Sequence, residues 1–298
     1  MQNSWESKRN EIDAGRMSRM LENTLRGAAS GAVHSCFKAS LNIWLAGRLV
    51  HVGGVARPLC CFGIQLTEKT VGELLNAVRP GDQVTLRHEK LTFYGRSQIL
   101  AVETGSFERV DLRIPGPGSG QRVEPPLVEN PPLEETWLWR LLRDMDFTGH
   151  LGLDPSGEFS ESCKALVAWN GLELPDEAVR FLAGRGRGLT PGGDDILVGY
   201  GAGLWAFEKR QIARGFAAAV NRAVMGRTTD VSLAYFDALE AGCANENMVR
   251  LLEQAPRGYG TTLRWLEDVR SVGHTSGWDT LYGLRLALAR GILQGKQQ

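Results

Sequence analysis

The residues best suited to chemistry lie in the run Gly184-Arg185-Gly186-Arg187-Gly188-Leu189-Thr190-Pro191-Gly192-Gly193-Asp194-Asp195, which leads into an apolar stretch. Thr190 has an N-cap side chain and Pro191 suits the first helical position, so the spacing predicts a helix that begins here with Gly192 and Gly193 in its first turn. Each of those glycines costs about 1 kcal/mol of helix stability relative to alanine. The compensation is close approach of their backbone N–H groups to another surface or a ligand. With the positive end of the helix dipole, such amides favour phosphate or carboxylate, and Arg185 and Arg187 add charge. Asp194 and Asp195 oppose this, because two carboxylates repel an anion unless a metal ion or a proton lies between. Mg²⁺ bridging carboxylate and substrate oxygens is one answer, and a carboxylate acting as base or as acceptor for an amide-like substrate is another. The plain alternative is that both complement the helix dipole.

The run is neither of the common Gly-rich nucleotide loops. Asp194 stands where a Walker A lysine would follow the last glycine,. Residues 177–183, before the alternating glycines, read as helix and not as the buried strand of a dinucleotide fingerprint,. A second run, Gly273-His274-Thr275-Ser276-Gly277-Trp278-Asp279, repeats the Gly-x-Thr-x-Gly-x-Asp pattern of Gly188, Thr190, Gly192 and Asp194 before another apolar helix. The echo points to paired helix starts converging on one site. The imidazole of His274 can move a proton or orient a carboxylate, or else simply hydrogen-bond within a cap. Between the two runs lies Gly226-Arg227-Thr228-Thr229-Asp230-Val231-Ser232. Arg227 offers a bidentate fork to carboxylate or phosphate, while Thr228 and Thr229 read singly as helix caps. His34, His51, His88 and His150 lack metal-ligand spacing and read as surface or strand histidines. No serine or cysteine nucleophile signature stands out, and Cys60-Cys61 is assigned to packing. Trp278 is the one tryptophan close enough to these runs to line a pocket,.

The elements that must position these residues fall into two halves. Strands are expected over residues 39–45, 49–52, 63–66, 83–87, 91–93, 98–102 and 109–112, separated by turn signals such as Gly53-Gly54 and Pro80-Gly81-Asp82,. One helix, residues 70–78, carries Val71, Leu74, Leu75 and Val78 at helical spacing,. Beyond a Pro/Gly-rich stretch, helices are expected over residues 134–145, 176–182, 195–207, 213–225, 231–239, 248–254, 261–269 and 276–293,. The expected fold class is α+β, with a β-rich barrel or sandwich followed by a mostly α-helical domain. The expected boundaries are a helical or disordered lead-in at 1–29, the β-rich domain at 30–114, a linker at 115–132 and the helical domain at 133–298.

The 34 basic and 34 acidic residues balance, so no general attraction to nucleic acid or anionic lipid follows,. Five scattered cysteines match no disulfide or zinc framework and read as reduced thiols,. No signal peptide and no bilayer-spanning run is evident, and a soluble cytoplasmic protein is expected.

The block Gly188-Leu189-Thr190-Pro191-Gly192-Gly193-Asp194-Asp195 followed by Leu197-Val198-Gly199, the later Gly273–Asp279 run, and Arg227-Thr228-Thr229 with Ser232 together resemble the hallmarks of the AllH family. The resemblance implies a subunit of oxamate carbamoyltransferase, which interconverts oxalurate plus phosphate and oxamate plus carbamoyl phosphate in purine-nitrogen recovery from allantoin, working with other subunits. On this reading Thr190, the Gly192 and Gly193 amides, Arg227 and Thr275 hold a small anionic metabolite, with Gly188, Thr228, Gly277 and Asp279 completing the contacts. Asp194, Asp195 and His274 then manage protons or bind a metal, Mg²⁺ being the one cofactor these residues suggest. Two other readings stand beside it. One is a Mg²⁺-dependent hydrolase using Asp194, Asp195 and Asp279, and the other a non-catalytic metabolite-binding or scaffold subunit.

Overall fold

The computed structural model describes residues 15–116, 132–254 and 258–296. The chain divides between Asp111 and Leu112 into two compact units.

The first unit is a curled mixed sheet of nine strands: β1 (Arg16–Ser18), β2 (Ala29–Cys36), β3 (Ser40–Leu45), β4 (Arg48–Gly54), β5 (Gly63–Leu66), β6 (Gln83–Arg87), β7 (Lys90–Tyr94), β8 (Ile99–Glu103) and β9 (Glu108–Val110). Their order across the sheet is β8-β7-β6-β2-β3-β4-β5-β1-β9. Pairing is antiparallel except for β4 with β5 and β1 with β9. The tight β3–β4 and β6–β7 hairpins turn on Ala46-Gly47 and His88-Glu89, all at positive φ, the backbone twist that two-residue hairpins need,. Short helices α1 (Glu22–Arg26) and α2 (Glu68–Ala77) accompany the sheet, with α2 capped by Thr67 and presenting Val71, Leu74 and Ala77 to the core. His51 is a strand histidine, its Nδ1 2.9 Å from Asn42 Oδ1, and burial lowers its pKa to about 4.

Two strands carry no clear signal in the sequence. The lead-in contributes β1, too short for an alternation to show, which pairs with β5 and β9. In β2 the small and polar Ser30, Gly31 and Ser35 interrupt the apolar alternation,. Residues 112–114, expected to finish the β domain, instead pair with the helical unit: Ala244 N–H donates to Leu112 O at 3.1 Å and Ile114 N–H to Gly242 O at 2.8 Å. Most of the expected linker, residues 117–131, lies outside the described residues.

The second unit comprises α3 (Trp137–Asp144), α4 (Gly157–Ala168), α5 (Asp176–Leu182), α6 (Gly192–Phe207), α7 (Arg210–Val224), α8 (Asp230–Glu240), α9 (Glu246–Gln254), α10 (Tyr259–Arg270) and α11 (Ser276–Gly295). Of these, α4 is additional to the helices expected from the sequence. Its signals are Ser156, whose hydroxyl accepts from Phe159 N–H at 3.1 Å, and the buried Phe159, Cys163 and Leu166 at helical spacing,. Helix α6 is the axis of this unit, with Ile196, Leu197, Tyr200 and Leu204 fully buried. It lies against α11 backbone to backbone. A Cβ on Gly199 would overlap the Thr280 carbonyl oxygen, and one on Gly283 the Ile196 carbonyl oxygen. Near the far end of the pair, buried Arg290 forms an ion pair with Glu208 and donates from Nε to Trp169 O at 2.8 Å. The α6–α11 contact sets the starts of the two helices side by side. Among the described residues no helix is long and apolar enough to cross a membrane, and the five cysteines form no disulfide.

Candidate functional site

Thr190 and Ser276 meet where α6 and α11 begin: their hydroxyl oxygens are 3.0 Å apart although 86 residues separate them. Thr190 does not cap α6 as expected. The helix starts at Gly192 with Pro191 in the cap position and no side-chain cap, and the Thr190 hydroxyl turns to α11 instead. Thr275 takes the cap position of α11, also without a side-chain cap bond. Gly184, Gly186 and Gly188 all have positive φ, so the run of alternating glycines traces a backbone path that other residues rarely adopt,. The glycines in the helix starts have a packing reason as well. A Cβ on Gly193 would overlap the Leu182 carbonyl oxygen, and one on Gly192 would sit 3.0 Å from Asp279 Oδ2 and 3.1 Å from Gly152 Cα. The Gly193 amide is taken by Arg185 O at 2.9 Å and the Gly277 amide by Val272 O at 3.0 Å, so neither points into open space.

Three buried carboxylates surround this junction, each answered differently. Asp194 is 1% exposed, accepts from Gly184 N–H at 2.7 Å and from the Thr228 hydroxyl, and lies beside the buried Ser232 Oγ. Burial raises its pKa although the Thr228 and Gly184 donors oppose the shift,. Asp279 is fully buried and accepts from Gly152 N–H through both oxygens, at 2.9 and 3.2 Å. Burial raises it to about 6 against the pull of Gly152 and the Thr275 hydroxyl. Asp195 is 7% exposed, and among the described residues its buried Oδ2 has no hydrogen-bond partner. Burial pushes its pKa well above the usual carboxylate range, the Ser276 and Thr190 hydroxyls lowering it and the Asp279 and Asp194 carboxylates raising it further.

The third polar cluster joins the first from α8. Thr229 caps that helix by accepting from Ser232 N–H at 3.1 Å, and its hydroxyl donates to Leu189 O. Thr228 is no cap, since its hydroxyl goes to Asp194. Arg227, Gly188 and His274 are exposed on the loops around the junction. Arg185 stacks on Phe181 at 3.9 Å and donates from Nε to Phe181 O. Among the described residues no group of three or more His, Cys, Asp and Glu side chains is arranged to hold a metal ion. Of the three candidate metal-binding aspartates, Asp194 and Asp279 accept from different backbone amides, those of Gly184 and Gly152.

Sequence reasoning missed Gly152. Its N–H holds Asp279, and a Cβ there would lie 2.8 Å from Thr275 Oγ1 and 2.9 Å from Asp279 Oδ2. A backbone donor 127 residues from its acceptor leaves no side-chain signal. On the same segment His150 stacks on Trp278, ring centroids 4.1 Å apart and planes 6° off parallel. Two grooves open elsewhere in the units. One of about 620 Å³ runs along Phe159, Cys163, Tyr282 and Leu286, and one of about 430 Å³ along Thr85, Arg87, Lys90 and Tyr94.

Two family profiles match the chain, one described as the AllH family N-terminal domain over residues 8–106 and one as oxamate carbamoyltransferase subunit AllH over residues 182–288. The chain belongs to the AllH family. No solved structure matches it. The second AllH match contains Thr190, Asp194, Asp195, Thr228, Thr275, Ser276 and Asp279, every side chain of the junction. Gly152 lies between the two AllH matches.

Proposed function

We propose that the chain is a subunit of an oxamate carbamoyltransferase, and that its share of the active site is the junction of α6 and α11. The observation that carries this reading is the meeting of Thr190 Oγ1 and Ser276 Oγ beside the buried Asp195. Oxalurate, oxamate, phosphate and carbamoyl phosphate are small oxygen-rich anions. Hydroxyls of Thr190, Thr275 and Ser276 hydrogen-bond such oxygens, and Arg187 and Arg227 on the exposed rim supply positive charge,. In the transfer, a phosphate oxygen bonds to the ureido carbon, the bond from that carbon to the oxamate nitrogen breaks, and a proton passes from phosphate to that nitrogen. Such a reaction needs no covalent enzyme intermediate and is served by positioning and by donors aimed at developing charge. This agrees with a chain that shows no nucleophile signature. Other subunits complete the enzyme, so the chain alone binds oxamate and turnover appears on assembly.

A thermal-shift series with oxamate, carbamoyl phosphate and phosphate tests the reading. Oxamate or carbamoyl phosphate is expected to raise the midpoint of the wild-type chain, and Thr190→Val combined with Ser276→Ala to reduce affinity at least tenfold. Leu172→Ser, at a residue 83% exposed outside the junction, serves as the control that keeps it. Equal shifts in the double variant and the wild type would remove the junction from consideration.

A further inference from the structure

Of the three carboxylates at the junction, Asp195 is the one with an oxygen that no group among the described residues answers. Asp194 has Gly184 N–H and the Thr228 hydroxyl, and Asp279 has Gly152 N–H. Asp195 Oδ2 is buried with no partner, in a residue more than nine-tenths buried. Around it, α6 contributes the Asp194 carboxylate, α11 the Asp279 carboxylate and the Ser276 hydroxyl, and the preceding loop the Thr190 hydroxyl. Among the described residues no Arg, Lys or His forms an ion pair with any of the three aspartates. An ionised Asp195 would therefore be a buried charge beside two others of the same sign, and it would repel the anion that the hydroxyls attract. A carboxylic acid at the same place carries an O–H donor, and among the described residues nothing receives it from Oδ2,.

We propose, resting on the function proposed above, that Asp195 is the proton carrier of the site: as a neutral acid it hydrogen-bonds the bound substrate through Oδ2 and gives its proton to the nitrogen that leaves the carbamoyl carbon. In the direction of oxalurate breakdown, a phosphate oxygen forms its bond to the ureido carbon, and the carbon–nitrogen bond breaks with its electron pair going to nitrogen. Asp195 protonates that nitrogen to give the amide of oxamate, and the hydrogen-phosphate proton returns to the Asp195 carboxylate. Protons and charge balance without any co-reactant. Asp194, both of whose oxygens are engaged, is then a positioning residue that ties Gly184 and Thr228 to the first turn of α6, and exposed His274 takes no part in this step.

Infrared difference spectroscopy of the chain alone tests the neutral state without any ligand. At pH 7 the wild type is expected to show a protonated-carboxyl stretch that Asp195→Asn lacks and Asp195→Glu restores. No band lost in Asp195→Asn would overturn the neutral acid. In the enzyme reconstituted with its partner subunits, Asp195→Asn is expected to keep oxamate affinity within about threefold, because an amide N–H replaces the O–H. Its kcat is expected to fall at least a hundredfold, the scale of lost acid–base catalysis, with partial recovery in Asp195→Glu. A kcat within tenfold of wild type would overturn the proton role. Wild-type oxamate affinity is further expected to decline as rising pH ionises Asp195, a decline that Asp195→Asn lacks; a parallel decline in both would count against the assignment. If wild-type chain binds no oxamate while the infrared band is present, the function proposed above fails and the neutral acid stands.

Discussion

Asp194 and Asp195 are the same residue type at adjacent positions, and their surroundings give them different work. Asp194 Oδ1 accepts from Gly184 N–H and Oδ2 from Thr228, so truncation would strand two part-buried donors. Asp194→Ala is expected to cost about 2–4 kcal/mol, read as a lower urea midpoint at unchanged slope. Asp279 allows a test of sign. Its pKa is raised to about 6 in the folded chain from an ordinary value of 3.8, so the native state binds the extra proton between those values. The stability this contributes is present in full below the ordinary value and is lost as pH rises through the folded one. Asp279 is thus expected to contribute a fall of roughly 2–3 kcal/mol in unfolding free energy between pH 4 and 7, read as the difference in slope between wild type and Asp279→Asn. Wild-type and Asp279→Asn profiles of equal slope would contradict the burial assigned to Asp279.

Helices α6 and α11 hold the site because glycines let their backbones touch. Gly199 faces the Thr280 carbonyl and Gly283 the Ile196 carbonyl, with no room for a methyl group at either. Gly199→Ala or Gly283→Ala must push the helices apart, and a loss of about 3 kcal/mol is expected, at the severe end of overpacking. The oxamate shift should weaken in step, since the same separation parts Thr190 from Ser276. Gly215, exposed on α7 with open space where a methyl group would stand, is the contrast. There alanine improves helix propensity, and Gly215→Ala is expected to raise stability by about 0.5–1 kcal/mol in the same urea titration. Loss of stability at Gly215, or none at Gly199, would contradict the packing described.

At the scale of the molecule, the two units have separate cores. The sheet buries a set running from Met17 to Phe107, the helical unit one running from Ile114 to Leu288, and they share no member. Each buries enough apolar surface to fold as a unit. A fragment of residues 112–298 is expected to show helical circular dichroism, a single cooperative urea transition and the oxamate-induced thermal shift, because every side chain of the junction lies within it. A fragment without a cooperative transition would show that the sheet unit is needed for the helical one to fold.

Much of this molecule is local and therefore legible in the chain itself. Helical spacing locates α5 to its last residue and α6 to α11 within a few residues, turn signals bound most of the strands, and the echo between Gly188–Asp194 and Gly273–Asp279 points to helix starts that converge. The family likeness rests on those same contiguous runs. What the residues by themselves do not show is which groups are left with partners. Thr190 reads as a cap, since that depends on its own backbone, but its hydroxyl answers to Ser276 from a distant helix. Gly152 carries no chemical signal, and it holds Asp279 only because the tertiary fold brings the two together across 127 residues. The character of Asp195 likewise comes from packing. Desolvation depends on everything that surrounds a carboxyl group, and only the assembled tertiary structure buries both aspartates while engaging both oxygens of Asp194 and leaving Oδ2 of Asp195 without a partner among the described residues,.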